Sequence, residues 1–96
     1  MTHYIVGNIT IHDLDRYRQY EAGFMPILQA HGGKIVVVSD APTPLEGSWG
    51  AGRLVVLAFE SAKAAKGWMT SPEYQEIARH RLAASDATIV MAQGFE

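Results

Sequence analysis

Residues 45–74 read LEGSWGAGRLVVLAFESAKAAKGWMTSPEY. At the centre, Leu54 to Phe59 is an unbroken apolar run rich in strand-forming residues. In a strand, Leu54, Val56 and Ala58 point to one face and Val55, Leu57 and Phe59 to the other. Both faces are therefore apolar. Ser61 follows as a helix N-cap signal, and Ala62, Ala65, Trp68 and Met69 form a stripe at helical spacing. Ser71 caps again, with Pro72 at the first helical position of a second segment. Tyr74, Ile77, Ala78 and Leu82 continue an apolar face there. A strand apolar on both sides, followed by amphipathic helices, reads as a sheet covered by helices.

Working outward, Tyr4 to Ile11 is strand-like. Asp13 is an N-cap, with Asp15 placing negative charge near the helix start. Leu14, Tyr17, Tyr20, Phe24, Ile27, Leu28 and His31 recur at helical spacing. Pro26 removes one backbone donor and predicts a kink near Phe24. Gly32-Gly33 ends the helix. Ile35 to Val38 is a second strand and Thr88 to Ala92 the last. Between Asp40 and Gly52 lies a long connection carrying Pro42, Pro44, Gly47, Gly50 and Gly52, and connections of that length are often functional. The order is βαββαβ, a ferredoxin-like α+β fold over residues 1–96 as one domain. It predicts a four-stranded antiparallel sheet, strands one and three central, with helices on one face.

A sheet with one face in water should alternate to polar there. This one does not. Ile35 and Val37 oppose Val36 and Val38, and Ile89 and Met91 oppose Val90 and Ala92. A second copy on the uncovered face is the expected remedy, giving a homodimer through the sheet.

Composition narrows the partners. Eight Lys+Arg against ten Asp+Glu give a net charge of −2, with no basic block to hold nucleic acid or an anionic membrane. No cysteine is present, so disulfides, thiolate metal sites and Cys nucleophiles are out. No apolar run approaches the ~20 residues of a membrane span, and the start lacks a signal-peptide pattern. A cytoplasmic protein is expected.

Glu46, Trp49 and Arg53 are the most suggestive set, at a loop-to-strand junction. Arg53 suits a substrate carboxylate, Trp49 a planar ligand, and Glu46 acid–base work. The competing reading is structural, with Glu46 paired to Arg53 and Trp49 pinning the loop. Tyr17, Tyr20 and Tyr74 sit on apolar helix faces, either as core or as hydroxyl donors to a pocket that Trp68 also walls. The histidines are scattered; Glu76 and His80, one helical turn apart, read as a solvated pair rather than metal ligands.

Several of these residues together resemble a family of small bacterial proteins of unknown function, domain family number 1330, in the dimeric α+β-barrel superfamily. The matching features are Tyr17 and Tyr20, Gly32-Gly33, L-E-G-x-W at Leu45 to Trp49, Arg53, the L-V-V-L-A-F strand, Trp68, and S-P-E-Y-Q at Ser71 to Gln75. The resemblance implies a ferredoxin-like fold and a sheet-to-sheet dimer, and no agreed activity. The wider superfamily includes cofactor-free monooxygenases, haem-degrading enzymes, and isomerases or lyases of small metabolites. From it follows an expected pocket between helices and sheet for a small aromatic or carboxylated molecule. Any chemistry would need no cofactor: oxygenation of an electron-rich ring, or proton transfer on a small keto acid. Glu46 and Arg53 would be catalytic, and Trp49, Tyr17, Tyr20, Trp68 and Tyr74 would form the walls. A non-catalytic binding or structural dimer is the alternative. In haem-degrading relatives an Asn on the first strand, a Trp and a helical His line the haem pocket; Asn8, Trp68 and His80 match those types in order, and coincidence is the preferred explanation.

Overall fold

The computed structural model describes residues 1–50 and 52–95; Ala51, inside the expected 40–52 connection, and Glu96 lie outside them. Strand β1 (His3–Ile11) leads through helix α1 (Leu14–Ala30) to strands β2 (Lys34–Ser39) and β3 (Arg53–Phe59). Helices α2 (Ala62–Thr70) and α3 (Pro72–Ala84) follow, then strand β4 (Ser85–Gln93). The sheet order is β2-β3-β1-β4, with every pairing antiparallel. Strands one and three are central and the fold is ferredoxin-like, its second helical segment divided in two.

Local chemistry sets the boundaries. The Asp13 carboxylate accepts from Arg16 N–H and caps α1. Pro26 lies inside α1, which continues past it to Ala30. At the far end Gly33 N–H donates to Leu28 C=O and Gly32 N–H to Gln29 C=O. Gly32, at φ +75°, supplies the left-handed residue this cap requires. Gly33 then turns the chain tightly under the core: a Cβ there would lie 2.5 Å from Leu28 Cδ1 and 2.6 Å from Phe59 Cε2.

Register assigns the two faces. On the helix side Ile5 pairs with Leu57 and Met91, and Gly7 with Val55 and Ile89. Ile5, Ile9, Leu57 and Phe59 join Leu28, Trp68 and Tyr74 in one buried cluster. On the other side Val37, Val56, Val6 and Val90 stand opposite one another, a valine row crossing all four strands.

Three expectations need correction. A register shift between Ile35 and Val37 sets Ile35 against Leu57 and Val38 against Val55. Ile35 therefore shares the helix-side face with Val38, not with Val37, because one extra residue reverses the alternation. Strand β4 begins at Ser85, directly after α3, rather than at Thr88. Leu82 is exposed; the buried positions of α3 are Tyr74, Ala78, Arg81 and Ala84.

Two glycines give opposite predictions. Gly33→Ala should destabilise by about 1–3 kcal/mol, since the added methyl meets packed side chains. Gly67, inside α2, has nothing within 4 Å of an added Cβ. Gly67→Ala should stabilise by about 0.5–1 kcal/mol. Urea denaturation of both variants checks the pair, and equal signs would contradict the packing described.

Candidate functional site

Ser71 is the residue that assembles the site. Its hydroxyl donates to Trp68 C=O, ending α2, and accepts from Tyr74 N–H, starting α3. One side chain thus caps two helices, and Pro72 keeps them from merging. The break sets Trp68 and Tyr74 ring to ring, with centroids 4.1 Å apart. Helix α1 brings Tyr20, whose hydroxyl lies 2.9 Å from that of Tyr74 in a buried hydrogen bond. One turn to either side on α1, Tyr17 and Phe24 pack against Tyr20 at 5.3 and 5.4 Å. Burial, and then Tyr74 beside it, push the Tyr20 phenol far above its usual range, so it stays protonated. Burial raises Tyr17 as well.

These rings enclose one side of a cavity of about 190 Å³. Its floor is the inner sheet face at Ile5, Gly7, Ile9, Val55, Leu57 and Ile89. Gly7, with no side chain, leaves depth at the middle of that floor: an added Cβ would meet Ile9 and Ile89 only at ordinary contact distance. Glu21 and Met25 of α1, and Ile35 and Val38 of β2, also line the cavity. The inward turn of Val38 is a product of the bulge.

Two arginines line the same cavity in different electrostatic settings. Arg53 Nε donates to Asp40 Oδ1 at 2.5 Å and Nη1 to Glu21 Oε2 at 3.1 Å. Its guanidinium also lies 5.4 Å from the Tyr17 ring centroid. Arg81 is 7% exposed and has no carboxylate partner among the described residues. Its guanidinium lies 5.8 Å from the Tyr20 ring centroid, and its buried Nε has no hydrogen-bond partner. Burial opposes its charge, while Tyr74 and Tyr20 favour it, and the balance raises its pKa. Trp68 Nε1 is likewise buried without a partner.

Of the residues singled out from sequence, Arg53, Tyr17, Tyr20, Trp68 and Tyr74 line this cavity together. Glu46 is exposed and Trp49 half-buried, and neither lines it. Arg53 finds its carboxylates at Asp40 and Glu21 rather than at Glu46. Trp49 Nε1 donates to Gly52 C=O, 2.8 Å away, tying the loop end to itself. Asn8, Trp68 and His80 do not share a pocket. Asn8 pairs with Leu54 and Thr88 on the valine-row face, opposite Trp68. His80 Nδ1 accepts from Arg16 Nε at 2.9 Å. Among the described residues no three His, Asp or Glu side chains gather as metal ligands.

Arg81, Glu21 and Phe24 line the cavity without having been assigned to a site from sequence. The spacing held a signal for Arg81: Tyr74, Ala78 and Arg81 fall at i, i+4 and i+7, which puts an arginine in an apolar stripe.

Double-mutant cycles test which partners Arg53 has. Arg53→Ala and Asp40→Ala should be non-additive, whereas Arg53→Ala and Glu46→Ala should add within about 0.5 kcal/mol. Alone, Glu46→Ala should stay within about 0.5 kcal/mol of wild type. Equilibrium denaturation supplies the four free energies of each cycle; coupling of about 1 kcal/mol or more between Glu46 and Arg53 would contradict the geometry.

Comparison with known proteins places this architecture. A protein of unknown function from Rhodopseudomonas palustris, RPA0582, superposes with a TM-score of 0.84 at 18% identity, covering 99% of this chain and 83% of its own. A dimeric protein of unknown function and ferredoxin-like fold from Bacteroides fragilis gives 0.69 at 12% identity, covering 97% and 96%. SnoaB, a cofactor-independent oxygenase from Streptomyces nogalater, gives 0.62 at 14% identity, covering 99% and 94%. At such identities the likeness concerns the fold. No protein of curated function gives a significant match. No helix among the described residues is long and apolar enough to cross a membrane. The family described as Domain of unknown function (DUF1330) matches residues 2–95, and the chain belongs to it.

Proposed function

We propose that the protein is a homodimer joined through the outer sheet faces, each protomer binding a small aromatic or carboxylated molecule in the pocket between helices and sheet. One observation carries the ligand: Arg81 lines an apolar cavity with its charge buried and, among the described residues, no carboxylate paired to it. Buried cations are ordinarily paired, and a small acid would supply the missing charge. Apolar walls and a few convergent donors are the usual make-up of a small-molecule site. Donors alone favour an oxyanion. The enzymatic form of the proposal is cofactor-free: oxygenation of an electron-rich ring, supported by the similar fold of SnoaB, a cofactor-independent oxygenase, or proton transfer on a small keto acid. In either, Arg53 stands at the cavity wall beside Glu21, and the acid–base role first given to Glu46 passes to Glu21.

The dimer rests on the valine row. Val90 is 52% and Val37 36% exposed, in a row that also includes Val6 and Val56. Apolar patches of this kind on soluble chains mark contact surfaces. The dimeric description of the Bacteroides fragilis protein points the same way.

Both parts can be tested. Sedimentation at about 100 μM should give a dimer, and Val56→Asp, on the outer face, should split or aggregate it; a soluble wild-type monomer would overturn the assembly. For the pocket, a thermal-shift series of small aromatic and keto acids should include a stabilising compound. At a hundredfold excess over Kd the gain is about 2.7 kcal/mol, and a chain of this size melts about 4–8 °C higher per kcal/mol. Gly7→Val, which fills the floor, should abolish the shift without unfolding the protein. A shift that survives Gly7→Val would place the ligand elsewhere.

A further inference from the structure

We propose that the pocket takes a one-ring monocarboxylic acid as its anion, with the carboxylate turned inward onto Arg81 and the ring held between the sheet floor and Phe24. This rests on the pocket reading above and specifies the chemistry of its occupant.

Charge gives the sign. Arg53 has two carboxylates, Asp40 and Glu21. Arg81 has none among the described residues, and its compensation comes from the Tyr20 ring and from Tyr74. A guanidinium held away from water is strongly stabilised by an acceptor that matches its planar fork. Among the described residues, Arg81 is the one pocket-lining cation without a carboxylate, so one negative charge completes the pocket. A second would face Glu21 at the wall.

Donor inventory gives the functional group. Trp68 Nε1 and Arg81 Nε are buried donors without partners. The Tyr20 and Tyr74 hydroxyls share one hydrogen bond, so one proton of the pair remains to be given. Among the described residues that line the pocket, every buried side-chain polar atom left without a partner is a donor. A carboxylate, which only accepts, satisfies such a set; an amide or alcohol would bring a donor against donors.

Volume gives the size. A dry apolar cavity of ~150 Å³ holds a benzene ring. The cavity here, about 190 Å³, has room for that ring and a carboxylate. A fused two-ring acid would push its second ring out past the open side of the cavity.

The experiment uses the two tryptophans as reporters. Trp68 lines the pocket, while Trp49 does not and has its indole N–H committed to Gly52 C=O. In ¹⁵N-labelled wild-type protein, sodium benzoate should shift the Trp68 indole resonance saturably and leave that of Trp49 in place. Benzamide, the neutral isostere, should bind about ten- to a hundredfold more weakly, the range expected for a charge-assisted hydrogen bond. Phthalate, a dianion, and 2-naphthoate, a two-ring acid, should both bind more weakly than benzoate. Arg81→Met should reduce benzoate to the level of benzamide while benzamide itself still binds. Equal binding of benzoate and benzamide to wild type overturns the anion assignment and leaves the pocket standing; that comparison needs no variant to fold. Benzoate preference surviving in Arg81→Met overturns the role of Arg81. Phthalate or 2-naphthoate binding as tightly as benzoate overturns the one-charge or one-ring limit. If no probe moves Trp68, the proposal falls together with the pocket reading beneath it.

Discussion

The guanidinium of Arg81 is held out of water with no carboxylate paired to it among the described residues, and the arrangement around it follows from that cost. Moving a cation into a low-dielectric interior carries an effective penalty of several kcal/mol unless opposite charge or hydrogen bonds repay it. Here the repayment is aromatic. The Tyr20 ring lies 5.8 Å from the guanidinium, and the Tyr74 phenol is bonded to Tyr20. The Tyr20 face and the Tyr74 phenol favour the charged guanidinium against burial, but neither brings a negative charge of its own. Arg53 shows the contrast on the same cavity: two carboxylates, one of them at 2.5 Å, leave nothing owing. One chain thus carries a saturated and an unsaturated arginine on a single pocket.

The geometry behind this follows from a single serine. Had α2 and α3 formed one helix, Trp68 and Tyr74, six positions apart, would have pointed to different faces. The break at Ser71 brings their rings to 4.1 Å and sets Arg81, two turns further along α3, behind them. The sheet below does two jobs through alternation. Odd positions of β1, Ile5, Gly7 and Ile9, form the cavity floor, while Val6 belongs to the valine row on the opposite face. The bulge in β2 keeps both jobs compatible, sending Val38 toward the cavity while Val37 stays in the row.

Much of this was legible in the chain. The strand and helix order, the caps at Asp13, Ser61 and Ser71, and the Gly32-Gly33 stop are local signals read within a few residues, and each formed as expected. The aromatic walls were also visible, because Tyr17, Tyr20, Trp68 and Tyr74 lie in apolar stripes. What escaped was decided over longer range. Arg53 pairs with residues 13 and 32 positions away, so its nearness to Glu46 in sequence was misleading. Arg81 reads as a solvent residue until α1 is laid against α3. The β2 bulge left no trace in Ile35 to Val38, since four apolar residues in a row have no alternation to interrupt. Strand β4 was read short because Ser85-Asp86-Ala87 lacks strand-forming side chains, and its pairing with β1 overrides that.

The most direct measurement of whether Arg81 is kept for a ligand is the stability of Arg81→Met with nothing bound, set against wild type in the same denaturation series. A residue retained for binding, and costly to the empty fold, should be replaceable by an apolar side chain of similar length with stability unchanged or raised. Loss of about 2 kcal/mol or more in Arg81→Met would show instead that the tyrosines already satisfy the charge. The guanidinium would then be part of the core and not the end of a binding site.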